Sequence, residues 1–177
     1  MSRIGKHPIE IPAGVNVVFE NGVIRAKGKN GEFEFKVHES VHTEISDGKI
    51  IFKPCNDDKT SRAHWGTCRA IVAKAVAGLH ELFTKKVNLV GVGYKASLQG
   101  KNLVLQLGYS HDIVFETPEG IKIACESPTV VAVSGANAQK VGETIRQIQK
   151  FREPEPYKGK GVIIDGQYVY RKEGKKK

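Results

Sequence analysis

Asn21-Gly22-Val23-Ile24-Arg25-Ala26-Lys27-Gly28 has a counterpart 80 positions further along the chain, Lys101-Asn102-Leu103-Val104-Leu105-Gln106-Leu107-Gly108. Identities are few, but apolar type and turn position agree, and the agreement continues without a gap. Phe33, Phe35, Val41 and Ile45 lie over Ile113, Phe115, Ile121 and Cys125. Ile50 and Ile51 lie over Val130 and Val131, and Trp65 and Cys68 lie over Ile145 and Ile148. A register that runs through strands, turns and a helix marks the duplication of a structural unit. With only two copies, the reading is two similar domains and not a solenoid. They are placed at residues 1–83 and 84–177, with a linker around Thr84-Lys85-Lys86.

Each copy runs strands first and then a helix. In the first, short β-type segments span Val15 to Phe19, Val23 to Lys27, Glu32 to Val37, Val41 to Ile45 and Lys49 to Lys53. Asn21-Gly22, Asn30-Gly31 and Asp47-Gly48 separate them; both residue types tolerate the positive φ that tight hairpins require. The period then lengthens. Trp65, Cys68, Val72, Val76 and Leu79 recur at three- and four-residue steps, one face of an amphipathic helix. Asp57 or Asp58 is placed to cap it, and in the second copy Asn137 precedes the stripe Val141, Ile145 and Ile148. The predicted fold class is α+β: two tandem duplicated domains, each an antiparallel sheet of short hairpin strands with one α-helix packed on it.

The chain has 177 residues, 40% of them apolar and 27% charged, which suits a soluble globular protein and argues against wholesale disorder. Its best apolar stretch, Ile71 to Leu79, carries Lys74 and falls well short of the ~20 residues that span a bilayer. The opening Met1-Ser2-Arg3-Ile4-Gly5-Lys6 has no apolar region behind it, so secretion is not expected. Cys55, Cys68 and Cys125 form no C-x-x-C pair, which argues against a disulfide framework or a structural zinc. Lys+Arg number 28 against 19 Asp+Glu, a net charge of +9, and its distribution says more than its total. Residues 1–58 hold 8 basic and 9 acidic side chains, residues 59–139 hold 9 and 5, and residues 140–177 hold 11 and 5. The last segment alone contributes +6, which points to a polyanionic partner, nucleic acid or an anionic membrane surface.

Catalytic motifs are weak. His38-Glu39-Ser40-Val41-His42 fits H-E-x-x-H, but that zinc motif needs a helix, and Phe33, Phe35, Val37 and Val41, Thr43, Ile45 alternate as strands do. There is no G-x-S-x-G elbow and no P-loop, and Gly91-Val92-Gly93 lacks the third glycine of a dinucleotide fingerprint. The informative segment is Arg152-Glu153-Pro154-Glu155-Pro156-Tyr157-Lys158-Gly159-Lys160-Gly161-Val162. Two prolines stiffen the chain directly after the second helix and predict an extended arm. Lys158 and Lys160 supply mobile charges for phosphate, Gly159 and Gly161 allow close approach, and Tyr157 can stack on a base or ribose. The chain ends in Arg171-Lys172-Glu173-Gly174-Lys175-Lys176-Lys177, too charged to fold alone.

The run at 154–161 resembles the signature of the bacterial-type ribosomal protein L6 (uL6) family, the sixth protein of the large subunit. Met1 to Lys6 with Ile11-Pro12-Ala13-Gly14-Val15 is similar to the family's opening, and Arg62-Ala63 with Gly66-Thr67-Cys68-Arg69-Ala70 to its first helix. Gly91-Val92-Gly93-Tyr94-Lys95-Ala96 and Leu107-Gly108-Tyr109-Ser110-His111 resemble the start of its second domain. One departure stands out: where the family usually continues with Arg-Tyr after Gly161-Val162, this chain has Ile163 and Ile164.

The resemblance implies a non-enzymatic, cytoplasmic constituent of the large ribosomal subunit. It implies binding to large-subunit ribosomal RNA, chiefly through the second domain, near the stalk base where translational GTPases dock. Neighbouring ribosomal proteins are the other expected partners, with no cofactor, metal, membrane or small-molecule substrate. The expected RNA-binding residues are Tyr94, Lys95, Ser110, His111, Arg152, Tyr157, Lys158, Gly159, Lys160, Gly161, Arg171, Lys172, Lys175, Lys176 and Lys177. The alternative is a free-standing module that uses the same fold to bind RNA or an anionic membrane surface.

Overall fold

The computed structural model describes residues 2–46 and 48–175. Asp47 of the expected Asp47-Gly48 turn, Met1, and the terminal Lys176 and Lys177 lie outside the described residues. The chain divides into two units, Met1–Leu82 and Phe83–Lys177.

Unit 1 contains β1 (Ile9–Glu10), β2 (Asn16–Glu20), β3 (Val23–Gly28), β4 (Gly31–Lys36), β5 (Val41–Ser46), β6 (Lys49–Pro54) and α1 (Lys59–His80). The strands form two antiparallel sheets, ordered β1-β6-β5 and β2-β3-β4. Asn21 and Gly22 both take positive φ, 50° and 76°, which closes the β2–β3 hairpin with two residues between paired Glu20 and Val23. The next hairpin differs from expectation. Gly28 pairs with Gly31, so Lys29 and Asn30 form the turn, displaced by one residue from Asn30-Gly31. Asn30 also ties this turn to the helix, since its Nδ2 donates to the Gly78 carbonyl in the last turn of α1, at 3.1 Å.

The helical stripe Trp65, Cys68, Val72, Val76 and Leu79 is buried, packed with Ile24, Ala26, Val41, Ile50 and Phe52 in one core. A tryptophan can sit there because its polar edge is satisfied: Nε1 donates to the Phe52 carbonyl at 2.7 Å. Asp58 is the residue before α1, but its side chain makes no capping bond.

Unit 2 repeats the plan with β7 (Phe83–Val90), β8 (Lys95–Gln99), β9 (Asn102–Gln106), β10 (Ile113–Glu116), β11 (Ile121–Ser127), β12 (Val130–Gly135), α2 (Ala138–Lys150) and β13 (Gly161–Ile164). Its sheets are β10-β9-β8 and β11-β12-β7-β13. Under the 80-residue shift, β7, β12 and β11 match β1, β6 and β5, while β8, β9 and β10 match β2, β3 and β4. Buried residues match as well: Ile24 with Val104, Val41 with Ile121, Trp65 with Ile145 and Cys68 with Ile148. The duplication holds at the level of topology and core. Asn137 caps α2 as expected, its Oδ1 accepting from the amides of Gln139 at 2.9 Å and Lys140 at 3.4 Å.

Thr84-Lys85-Lys86 is not a linker. These residues lie within β7, paired with Ser134, Val133 and Ala132 of β12. Lys85 and Lys86 are exposed, and Lys86 pairs with Glu126 at 2.7 Å. Only Glu81 and Leu82 separate α1 from β7.

Candidate nucleic-acid interface

The end of α2 sets the first part of the site. Arg152 leaves the helix at a bend and places its guanidinium carbon 4.9 Å from the centre of the Tyr109 ring. The Tyr109 hydroxyl donates to the Phe151 carbonyl at 3.0 Å, and its ring stacks on His111 with centroids 6.0 Å apart. Hydrogen bonding to Tyr109, and then to Tyr94, holds the guanidinium above its ordinary pKa. A cation lying on an aromatic face is attracted by the ring quadrupole and keeps its remaining N–H groups for an outside acceptor.

Of the expected residues here, Arg152, Ser110 and His111 are exposed, and Lys95 is exposed on β8. Tyr94 departs from expectation. It is 8% exposed, its ring is part of the unit 2 core, and it packs so closely on Gly91 that a Cβ there would lie 2.8 Å away. Tyr94 is therefore a core residue with no open face to offer a base. Tyr109, absent from the residues expected from the sequence, is the partly exposed aromatic beside Arg152. It stands in the Leu107–His111 run, between a glycine of positive φ and two polar turn residues, which is signal enough.

The second part of the site is the segment after Arg152, and it does not leave as an extended arm. The Glu155 amide donates to the Lys160 carbonyl at 2.9 Å, closing a tight loop over Pro156 to Gly159. The Val162 amide donates to the Arg152 carbonyl at 2.8 Å, and the chain returns as β13 along β7. Gly161 shows why: at φ 142° its α-carbon lies so close to Glu153 and Pro154 that a Cβ would sit 2.7 Å from backbone atoms. Gly159 likewise faces the Arg171 guanidinium. Both glycines are buried, so their close approach is to this chain's own backbone and side chains, not to a ligand.

The loop and the tail fasten together, because the Lys172 amide donates to the Pro156 carbonyl at 2.7 Å. The result is a clip that exposes Tyr157, Lys158 and Lys160 on one limb and Arg171, Lys172 and Lys175 on the other. Lys176 and Lys177 lie outside the described residues. Ile163 and Ile164 are strand residues of β13, and Ile164 packs on the core.

The H-E-x-x-H residues lie elsewhere and do not converge. His38 precedes a turn and stacks on His64 at 3.9 Å, whereas His42 is in β5 beside Glu44 at 3.5 Å.

Fold and site define a duplicated α+β protein whose second copy carries a preformed cationic and aromatic surface. The family model for Ribosomal protein L6 matches the chain twice, over residues 11–81 and 90–163, one match in each unit. Large ribosomal subunit protein uL6 of Rhodospirillum centenum is 48% identical over 177 residues, covering 100% of both chains. The proteins of the same description from Gluconacetobacter diazotrophicus and Sphingopyxis alaskensis are 48% and 46% identical, again over the full length of each. The chain belongs to the ribosomal protein L6 family, whose members are structural components and not enzymes.

Proposed function

We propose that this protein is a cytoplasmic structural constituent of the large ribosomal subunit, and that unit 2 binds large-subunit ribosomal RNA near the stalk base, beside neighbouring ribosomal proteins. The clip carries the reading. It holds Lys158, Lys160, Arg171 and Lys172 on a closed backbone scaffold, and none of them has an ion-pair partner among the described residues. Unit 1 has 12 basic and 10 acidic residues, net +2, against 16 and 9, net +7, in unit 2. Fixed cations of this kind suit phosphate neutralisation and recognition of RNA shape, with few contacts to base edges.

The test is cosedimentation of the tagged chain with large subunits through a salt wash, followed by titration of the purified chain with protein-free large-subunit RNA. Retention on subunits and salt-dependent RNA binding are the expected results. Release from subunits, or equal affinity of the isolated RNA for a variant lacking all four clip cations, would overturn the proposal.

A further inference from the structure

Just before the clip's second limb, the tail presents two tyrosines that the clip itself does not use. Tyr168 is 84% exposed and Tyr170 is 66% exposed, while Gln167 and Val169, before and between them, are half-buried. That alternation puts the two rings on one side of the chain. The segment is held at both ends. Upstream, the Gln167 Oε1 accepts from Gln149 Nε2 at 2.7 Å, and Gln149 in turn donates to the Val162 carbonyl at 3.0 Å. Downstream, the Lys172 amide is bonded to Pro156.

We infer that Tyr168 and Tyr170 form a slot for one unpaired nucleobase of ribosomal RNA, with Arg171 and Lys172 taking its flanking phosphates. This rests on the RNA-binding reading above and goes beyond it, since it assigns base stacking to residues outside the clip. The spacing supports it. Alternate residues of a fully extended chain are about 7 Å apart, close to twice the roughly 3.4 Å separation of stacked bases, a spacing that would admit a single base between two such rings. Tyr168 also borders an open groove of about 400 Å³ with Ile163, Gln167, Val169 and Arg171, where Ile163 supplies an apolar wall. Two aromatic rings exposed side by side offer surface whose burial by a partner would be favourable. The basic neighbours make that partner a polyanion, and aromatic stacking makes it a single-stranded nucleic acid.

The experiment compares the wild-type full chain with Tyr168→Ala, Tyr170→Ala and the double Tyr168→Phe/Tyr170→Phe. Each is titrated with protein-free large-subunit RNA, with a short oligoadenylate, and with a blunt RNA duplex of matching length. Each alanine variant should bind the large-subunit RNA and the oligoadenylate about ten-fold more weakly, with the phenylalanine pair close to wild type. The slope of log affinity against log salt should not change, because every phosphate-binding cation is still in place. Alanine variants that bind the large-subunit RNA and the oligoadenylate as wild type does would overturn the slot. So would a phenylalanine pair as weak as alanine, or an equal loss on the blunt duplex. In a parallel titration with phosphatidylserine vesicles, alanine variants that lose vesicle binding while keeping RNA binding would overturn the slot in favour of a lipid surface. If the wild-type chain binds no large-subunit RNA, the broader proposal fails instead, so the two failures are distinct.

Discussion

The two units share one plan and use their charges in opposite ways. In unit 1, Arg25, Lys27, Lys49, Lys53 and Arg62 each face a carboxylate, mostly across adjacent strands. In unit 2, Lys86 pairs with Glu126, and the clip's Lys158, Lys160, Arg171 and Lys172 appear in no such pair among the described residues. The two copies are equivalent scaffolds, and the second carries β13, the clip and the tail in addition. A cation already matched within its own sheet has little electrostatic attraction left for an outside phosphate, whereas an unmatched one on a fixed backbone retains it in full. Net charge alone would not reveal this division.

The largest expected effects test the shared scaffold. Trp65 and Ile145 are equivalent core positions, so Trp65→Ala should cost about 3–5 kcal/mol and Ile145→Ala about 2–5 kcal/mol. Amide hydrogen exchange followed residue by residue should show protection lost in unit 1 for the former and in unit 2 for the latter. Loss spread over both units in either variant would break the comparison.

Gly161→Ala should come next. A Cβ there meets the backbone of Glu153 and Pro154 while the residue holds a φ of 142°, so strain of roughly 1–3 kcal/mol is expected. The clip should open, which trypsin cleavage after Lys158 or Lys160 would report, and RNA affinity should fall although no cation is removed. Rapid cleavage in the wild type would show that the clip is not closed.

The division of charge has a direct test. Lys158→Ala with Lys160→Ala should reduce the slope of log affinity against log salt by about 0.7 for each phosphate no longer neutralised. Lys27→Ala with Lys29→Ala removes the same charge from unit 1 and should leave the slope nearly unchanged. Equal slopes in the two pairs would reduce unit 2 to part of a diffuse basic cloud.

The helix caps give a smaller contrast. Asn137→Ala removes two side-chain capping bonds and should destabilise unit 2 by about 1 kcal/mol, while Asp58→Ala removes none and should change unit 1 little, as read by urea unfolding. A similar loss in both would mean that Asp58 acts through charge on the helix end.

Acid should affect unit 1 most through its pairs, and only slightly. Lys27 and Lys53 hold the Glu32 and Glu44 carboxyls below their ordinary value of 4.5, first by hydrogen bonding and then by charge. A depressed carboxyl pKa stabilises the fold above that ordinary value, and the stabilisation is lost as pH falls through the folded value. Glu32→Gln with Glu44→Gln should therefore flatten the decline of unit 1 stability on acidification below 4.5. An unchanged profile would show that these exposed pairs contribute nothing.

What can be read from the sequence follows the range of the interactions involved. Hairpin strands and helical stripes are local, and Asn21-Gly22 or the stripe from Trp65 to Leu79 carries its own signature. β1 and β13 are not legible because each is specified by a distant partner, β6 and β7 respectively. Thr84-Lys85-Lys86 looks like a linker because two lysines hide a strand whose exposed face tolerates them. The arm misleads for the same reason. Prolines suggest extension, but the bonds from Glu155 to Lys160 and from Lys172 to Pro156 fold it back. At the site, the exposed lysines, Arg152 and His111 are visible by residue type. The burial of Tyr94, Gly159 and Gly161, and the part played by Tyr109, depend on packing that no local pattern encodes.

The position of β13 has a consequence for synthesis. It pairs with β7, so the sheet of unit 2 joins the first strand of that unit to its last. Unit 1 is complete once the chain has passed His80 and has no such dependence on the C-terminus. Unit 2 must hold β7 with one edge open until Ile164 has been made, a non-local closure that folds slowly. Unit 1 therefore has all its strands and its helix while unit 2 is still being made, and the Lys172–Pro156 bond that fastens the clip needs chain beyond β13. A chain truncated before Ile164 would have a finished first unit, an unpaired edge on β7 and no second limb for the clip to fasten to.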